Sequence, residues 1–249
     1  MTVFIYELFR LYVIARVIAP RRSAAARRHL MQRCAHTMLR SLRLEVRARG
    51  HLPRPETPLL LVANHSSWLD SYALNTISAA RFVAKSEVRE WPLVGTIADR
   101  FGTFFLQRGS YRAAARMVAA LTEALCGGQP VAVFPEGTTS AGDGVLPFYP
   151  AMFQAAVRSR TPVQPVAIRY RGADGTATRA AAYVGDMSVA DSLRLLLREP
   201  SLTAELIFCA PLDPAGRNRK QLAAQAHAAI SAALAGDDAV GPTPLRRAA

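Results

Sequence analysis

The sequence has few cysteines and none of the spacings that cysteine-based sites need. Cys34, Cys126 and Cys209 are far apart and form neither a C-x-x-C pair nor a group with histidine. A disulfide framework and a structural zinc site both require such spacings, so both are excluded. We expect buried, reduced thiols.

Lysine is scarce as well, and the positive charge lies mainly at one end of the chain. The net charge is +13. Residues 1–54 hold 12 arginines and two glutamates, whereas residues 55–249 are nearly balanced. A nucleic-acid-binding protein is expected to carry basic residues interleaved with aromatic ones across its body. The balanced body argues against that class, and we expect no nucleic-acid partner.

A long apolar run free of charge is also absent. Residues 2–20, TVFIYELFRLYVIARVIAP, are mostly apolar but are interrupted by Glu7, Arg10 and Arg16. A single membrane span is unfavourable because each such charge costs ~2.5–3.5 kcal/mol near the bilayer centre. We expect a helix lying in the membrane interface, with the Arg-rich residues 21–43 facing anionic headgroups. A core helix with a solvated charged face and a tilted span remain alternatives.

Short apolar strands alternate with amphipathic helices in the rest of the chain. PLLLVANH (58–65) and PVAVF (130–134) are typical of buried strands. Between them we expect a helix over 66–79, capped by Ser66 or Ser67. This alternation predicts an α/β fold, a single domain with a mixed, mostly parallel sheet flanked by helices.

The composition divides the chain into three parts. We predict N-terminal amphipathic, Arg-rich membrane-association helices over 1–43 and the α/β domain over 44–236. Glycine, proline and arginine after residue 236 predict a flexible tail over 237–249.

The segment NHSSWLD (64–70) places a histidine at the end of a buried strand, where open α/β sheets form ligand crevices. Five residues of regular helix turn the chain by about 140°, so His65 and Asp70 meet only if His65 precedes the helix. In such a pair the carboxylate orients one ring nitrogen while the other accepts a proton from a hydroxyl. No G-x-S-x-G nucleophile elbow is present, which favours direct attack by a substrate hydroxyl.

Two further strand ends carry candidate binding residues. FGTFFLQRGS (101–110) presents Arg108, and arginine suits bidentate recognition of phosphate. In VAVFPEGTTS (131–140), Gly137 lets backbone amides approach a ligand, and Glu136 accepts from a substrate hydroxyl or holds the arginine. Each segment also has an alternative interpretation as an ordinary strand, turn or ion pair.

Taken together and in this order, the segments resemble the glycerolipid acyltransferase family typified by bacterial 1-acylglycerol-3-phosphate acyltransferases. The family blocks are N-H-x-x-x-x-D, G-x-x-F-x-x-R, F-P-E-G-T-x-S and V-x-P-V. They match here at residues 64–70, 102–108, 134–140 and 163–166. A further family-like stretch, K-x-E-x-x-x-x-P-x-x-G, matches residues 85–95.

The resemblance implies a role for each matched residue. His65 deprotonates the acceptor hydroxyl, which attacks the thioester of acyl-CoA or acyl-carrier protein, and Asp70 orients His65. The residues implied to bind substrate are Asn64, Lys85, Gly102, Arg108, Glu136, Gly137 and Thr138. No metal and no cofactor is implied, only the acyl-CoA or acyl-carrier-protein co-substrate. Membrane lipids and a lysophospholipid acceptor are the implied partners.

One position departs from the family pattern and leaves the acceptor open. Thr139 stands where the most frequent third block has arginine, and this version looks more like lyso-ornithine lipid acyltransferases. We predict acyl transfer to a lysophospholipid, first of all to 1-acylglycerol-3-phosphate to give phosphatidate. Lyso-ornithine lipid O-acylation, hydrolysis, and peripheral membrane binding without activity are the alternatives. The expected location is the cytoplasmic face of the inner membrane, because acyl thioesters are made in the cytoplasm.

Overall fold

The computed structural model describes residues 2–54, 57–107 and 109–236. Arg108 and the predicted tail at 237–249 lie outside these residues. The strands are β1 (Leu44–Gly50), β2 (Leu60–Ala63), β3 (Arg81–Lys85), β4 (Phe104–Leu106), β5 (Val131–Val133), β6 (Val163–Arg171) and β7 (Leu202–Phe208). The α-helices are α1 (Thr2–Val13), α2 (Ala24–Ser41), α3 (Leu69–Ile77), α4 (Val94–Arg100), α5 (Tyr111–Cys126), α6 (Phe153–Ser159), α7 (Val189–Arg198) and α8 (Arg219–Ala235).

The strands form one mixed sheet in the order β1-β7-β6-β2-β5-β3-β4. β7 runs antiparallel to β6 and parallel to β1, and all the other neighbouring pairs are parallel. The sheet confirms the predicted α/β fold with a mixed, mostly parallel sheet. The carboxyl ends of β6, β2, β5, β3 and β4 therefore meet at one edge, which is where such sheets bind ligands.

The central strands are apolar along their whole length because helices cover both faces of the sheet. Every residue of β2 and β5 is buried. Successive residues of β2 point to opposite faces: Leu61 joins the core beneath α2 and α3, whereas Leu60 joins the core beneath α5, α6 and α8. The edge strand β1 instead alternates buried and exposed residues, as a half-exposed strand should.

The N-terminal arm is helical, but its first helix ends in irregular turns. A π-helical segment at Ile14–Ile18 and a 3₁₀ turn at Ala19–Arg21 follow α1. Pro20 lies in that turn, where its ring restricts the backbone. Ser23 then begins α2, because its hydroxyl accepts the N–H of Ala26 at 3.3 Å.

Both helices of the arm pack against the α/β domain. Phe4, Leu11 and Met38 are buried in the same apolar cluster as strand residues of the sheet. The ring of Phe4 also meets Trp68 edge to face, with centroids 6.0 Å apart. The predicted boundary at residue 43 therefore separates α2 from β1 but does not separate the arm from the core. Among the described residues, no helix combines the length and the apolarity needed to cross a membrane.

If α1 belongs to the core, its inner and outer phenylalanines should differ in their effect on stability. Phe4 is 6% exposed and Phe9 is 57% exposed. We expect Phe4→Ala to lower the free energy of unfolding by about 3–5 kcal/mol, because it leaves a cavity. Phe9→Ala should change it by less than about 0.5 kcal/mol. Urea denaturation of both variants in the same mild detergent measures this difference, and equal effects would show that α1 is a detached arm.

Candidate active site

The side chain of Asn64 marks the point where β2 leaves the sheet. Its Nδ2 donates to the carbonyl oxygen of Ile168 at 2.9 Å, and its Oδ1 accepts the N–H of Ile168 at 2.7 Å. The amide thus continues the pairing of β2 with β6 by one step after the backbone has turned away. Asn64 is 1% exposed and its side-chain amide is used in this way. The structure therefore gives Asn64 a structural role, and its contact with substrate stays a prediction.

The backbone of His65 is held on both sides by the loop that follows β5. Glu136 accepts the His65 N–H through Oε1 at 2.7 Å, and the N–H of Ser140 donates to the His65 carbonyl at 2.8 Å. These two contacts fix the peptide units on either side of the His65 Cα. The loop therefore sets the position of the imidazole without touching the ring through these bonds.

Glu136 is a buried anchor for backbone amides. Its second oxygen, Oε2, accepts the N–H of Leu146 at 3.1 Å, and the residue is only 3% exposed. Burial raises the pKa of Glu136, while its bonds to the His65 and Leu146 amides oppose that shift. Since both oxygens accept backbone N–H groups, Glu136 has a structural role, and its contact with a substrate hydroxyl stays a prediction. The predicted contact with Arg108 lies outside the described residues.

His65 and Asp70 meet because His65 precedes helix α3. His65 Nδ1 lies 2.9 Å from Asp70 Oδ2, and the Asp70 side chain is fully buried. A buried carboxylate at this distance holds the ring proton on Nδ1 and leaves the lone pair on Nε2. The His65 side chain is 21% exposed. The pair therefore offers a proton acceptor at the surface of the site.

The start of α3 differs from the predicted one. The helix begins at Leu69, and its capping residue Trp68 makes no side-chain cap. Asp70 instead reaches back, and its Oδ2 accepts the N–H groups of Ser66 and Ser67 at 2.8 and 2.9 Å. The helix thus begins later than the predicted 66–79, and both serines help to hold the carboxylate through their backbones. Ser67 also acts as the predicted cap, since its Oγ accepts the N–H of Leu69, the first helical residue, at 3.2 Å. Carboxylates at helix starts are favoured for this reason.

Phe134 provides a flat support for the imidazole. The rings of His65 and Phe134 are stacked, with centroids 3.9 Å apart and planes 8° from parallel. Phe82 lies next to Phe134, with centroids 5.8 Å apart. Because Nδ1 is fixed by Asp70 and one ring face is covered, the imidazole has a single well-defined orientation. The sequence pattern identified Phe134 as part of a strand end but not as this support.

Tyr170 is a site residue that the sequence pattern did not identify. Its hydroxyl donates to Asp70 Oδ1 at 2.6 Å, from the far end of β6. Burial and the neighbouring carboxylate raise the pKa of Tyr170 well above its usual value, so the phenol stays protonated. Residues 163–166 match a family block, but that match does not show which face of β6 meets α3, and the contact depends on it.

Three of the predicted substrate-binding residues lie at the same sheet edge as His65. Lys85 is exposed at the carboxyl end of β3. Gly137 and Thr138 follow β5, and Thr138 is exposed. Gly137 has a φ of 71°, and a Cβ there would lie 3.2 Å from the Tyr149 ring. A glycine suits this turn because larger residues adopt that conformation at a cost. The binding roles of Lys85, Gly137 and Thr138 remain predictions.

Gly102 lies at the opposite edge of the sheet. It precedes β4, and its carbonyl accepts Nε of Arg81, the first residue of β3, at 2.7 Å. A Cβ on Gly102, whose φ is 80°, would lie 2.8 Å from that Nε. The glycine is thus needed for close packing of the arginine, and its substrate-binding role stays a prediction.

Two further predictions concern a metal ion and the phosphate-binding Arg108. Within 2–54, 57–107 and 109–236, no group of three or more His, Cys, Asp and Glu side chains is placed to hold a metal ion. Arg108, the predicted phosphate-binding residue, lies outside these ranges, one residue after the described Gln107 that follows β4.

The chain is similar in sequence and in fold to known acyltransferases. A family model described as Acyltransferase matches residues 43–169. The chain is 38% identical to a lyso-ornithine lipid O-acyltransferase of Pseudomonas aeruginosa, over 93% of this chain and 86% of that protein. It is 36% identical to a 1-acyl-sn-glycerol-3-phosphate acyltransferase of Neisseria gonorrhoeae, over 74% of this chain and 73% of that protein. The crystal structure of PlsC, a 1-acyl-sn-glycerophosphate (LPA) acyltransferase from Thermotoga maritima, has the same fold, with a TM-score of 0.68, 22% identity and 94% coverage of each chain.

The two-sided hold on the His65 backbone predicts that Glu136 is needed for stability. Glu136→Gln keeps the shape but turns an amide donor toward a backbone N–H. We expect the free energy of unfolding to fall by about 1–3 kcal/mol, the cost of a buried group left without its partner. The exposed Glu123 on α5 gives a matched control, Glu123→Gln, for which we expect a change below about 0.5 kcal/mol. Denaturant unfolding measures both, and equal stability of the two variants would contradict a structural role for Glu136.

Proposed function

Because the chain belongs to the acyltransferase family, we propose that it transfers an acyl group from a thioester donor to the free hydroxyl of a lysophospholipid or related lyso-lipid. The observation that carries this proposal is the His65–Asp70 pair at 2.9 Å, with the imidazole stacked on Phe134. In the described residues, no hydrogen bond occupies His65 Nε2. That nitrogen is therefore the base available to a substrate hydroxyl.

The reaction proceeds by direct attack. His65 Nε2 removes the proton from the acceptor hydroxyl while its oxygen bonds to the thioester carbonyl carbon. The carbon–sulfur bond then breaks, and the departing thiolate takes the proton from the imidazolium. Asp70 stabilises the imidazolium formed in between, because its buried carboxylate stays 2.9 Å from Nδ1. The donor is acyl-CoA or acyl-carrier protein, both of which present such a thioester.

Lysophosphatidate is the first acceptor we propose. It has the free hydroxyl that the mechanism needs and a phosphate that a cationic side chain can bind. Lys85 is exposed at the sheet edge that carries His65 and can provide such a contact. The name of the Neisseria relative refers to the same acceptor.

Lyso-ornithine lipid is the second acceptor, and a specific residue favours it. Thr139 lies between Thr138 and Ser140 in the loop that holds His65, where the commonest family block carries an arginine. A neutral residue removes one cation from the site and lowers the attraction for a doubly charged phosphate. The Pseudomonas relative, whose match extends over 93% of this chain, is named for lyso-ornithine lipid.

The outer face of the arm supports a location at the membrane surface. The exposed apolar residues of α1 and the turn after it are Val3, Ile5, Tyr6, Phe9, Val13, Val17 and Ile18; we call them the apolar face. The two charges that interrupt α1 pair with each other, since Arg10 Nε donates to Glu7 Oε2 at 2.7 Å. Their side chains are 34% and 12% exposed. The charges are thus partly removed from the surface that lipid would cover.

We propose that the enzyme acts on the cytoplasmic face of the inner membrane, where acyl thioesters are made, and that it is attached by the apolar face. Exposed arginines border it: Arg16, Arg21 and Arg22. Such an arrangement, with apolar side chains flanked by arginines, suits an interface with anionic headgroups. Attachment at this surface brings the active site to lipids that already reside in the membrane.

The proposed reaction predicts transfer by the wild type and none by a variant without the base. We expect labelled acyl groups to pass from acyl-CoA or acyl-carrier protein to lysophosphatidate, and His65→Ala to lower the rate at least ~10²-fold. Lyso-ornithine lipid offered in parallel tests the second acceptor, and a higher kcat/KM for it would identify that lipid as the preferred one. Absence of transfer to either lipid from either donor would refute the proposed function, as would free fatty acid as the main product.

The proposed attachment predicts that charge on the apolar face releases the protein from membranes. We expect Ile5→Asp combined with Phe9→Asp to weaken binding to phosphatidylethanolamine/phosphatidylglycerol vesicles at least ~10²-fold, because each side chain contributes about 1.5–3 kcal/mol when buried. Tyr111→Asp on α5, where the residue is 89% exposed, is the control and should bind normally. Vesicle sedimentation measures the partition. Deletion of residues 1–43 is a poorer test, since it also removes Phe4 and Leu11 from the core.

A further inference from the structure

Asp70 receives hydrogen bonds on both carboxylate oxygens, and the donors differ between the two. Oδ2 accepts from His65 Nδ1 and from the backbone N–H groups of Ser66 and Ser67, at 2.8–2.9 Å. Oδ1 accepts a hydrogen bond from the Tyr170 hydroxyl at 2.6 Å, and within the described part of the chain this is its one hydrogen bond. The carboxylate plane is thus fixed from two directions, from its own loop and from β6.

The position of Tyr170 follows from the register of β6. Residues two apart in a strand point to the same face, so Ile168 and Tyr170 share the face that meets α3. The backbone of Ile168 is bound by the Asn64 side chain. These two hydrogen bonds, which we call the Asn64–Ile168 clasp, thereby fix the position of the Tyr170 hydroxyl along β6 relative to Asp70.

We propose that Tyr170 is a positioning residue for acyl transfer, which holds Asp70 so that its Oδ2 stays directed at His65 and moderates the charge that His65 experiences. This inference rests on the proposed function. Tyr170 is only 4% exposed and contacts Asp70, so it acts through the His65–Asp70 pair and does not touch the substrate. The phenol remains the donor because burial and the neighbouring carboxylate raise the pKa of Tyr170 well above its usual value.

Removal of the phenol proton has a consequence with a definite sign. Without this donor, Oδ1 is buried and unpaired, and the negative charge of Asp70 is less spread. A more concentrated negative charge stabilises the imidazolium more strongly. Since the base works only in its neutral form, the acid limb of the pH–rate profile moves to higher pH. A loosened carboxylate also orients the imidazole less well, which lowers kcat.

Tyr170→Phe tests this role with a matched control on the same helix as Asp70. Tyr72→Phe makes the same chemical change next to Trp68, and within the described residues no hydrogen bond joins its hydroxyl to Asp70. We expect Tyr170→Phe to lower kcat roughly tenfold, part of the ~10²–10⁴-fold that a positioned base contributes, with KM unchanged. We expect its acid limb to shift upward. Tyr72→Phe should match the wild type in kcat, KM and acid limb.

A double-variant cycle separates positioning from a general loss of packing. If Tyr170 acts through Asp70, Tyr170→Phe should cost little further activity in an Asp70→Asn background. The same fold-loss in both backgrounds would overturn the proposal. So would a Tyr170→Phe enzyme with wild-type kcat and acid limb, or a kcat loss that Tyr72→Phe reproduces. Activities are normalised to the folded fraction from thermal melts.

NMR of the His65 ring gives a readout that does not require turnover. We expect the resonance of the His65 Nδ1 proton, which lies in the hydrogen bond to Asp70 Oδ2, to move in Tyr170→Phe and to stay in place in Tyr72→Phe. An unmoved resonance in Tyr170→Phe would contradict the inference even if the enzyme is active. A wild type that transfers no acyl group to either lipid would instead contradict the proposed function, while the resonance still reports on Tyr170.

Discussion

The Asn64–Ile168 clasp is the interaction on which the rest of the site depends. It lets the backbone of β2 turn out of the sheet at a defined residue while the strand pairing continues through a side chain. His65 is the first residue after that point, and the loop after β5 binds the backbone on both sides of its Cα. A buried primary amide is suited to this because it presents one donor and one acceptor side by side.

The chemistry of the site arises from groups that are nearly all buried, around one imidazole that is not. Asp70 is fully buried and receives four hydrogen bonds, so its charge is stabilised without water. Phe134 covers one face of the His65 ring and restricts its motion. This preorganisation means that little has to rearrange when a hydroxyl reaches Nε2, which is how enzymes lower the cost of proton transfer.

The sequence predicted what depends on neighbouring residues and missed what depends on tertiary contacts. Buried strands and the His65–Asp70 contact follow from apolar runs and from a five-residue spacing, so they could be predicted. The structural roles of Asn64 and Glu136 could not be predicted from the sequence. Ile168, the partner of Asn64, is distant in the chain, and Leu146, a partner of Glu136, lies in a segment without regular secondary structure. Gly102 matched a binding motif, yet its surroundings are set by Arg81 at the other sheet edge. The role of Tyr170 could not be predicted, because the side of the sheet on which its side chain lies depends on the register of β6.

The packing of α1 limits how the N-terminal helix of such an enzyme can be replaced by another. One side of the helix fills the core next to Trp68, a residue of the NHSSWLD segment, and the other carries the apolar face. The indole of Trp68 in turn donates to Ser192 of α7 at 3.1 Å. Helix α1, the proposed membrane anchor, is therefore not an interchangeable module. Consider a chimera in which an unrelated lipid-binding helix replaces residues 2–18. Unless the new helix also reproduces the inward side chains, it leaves a cavity beside the NHSSWLD segment.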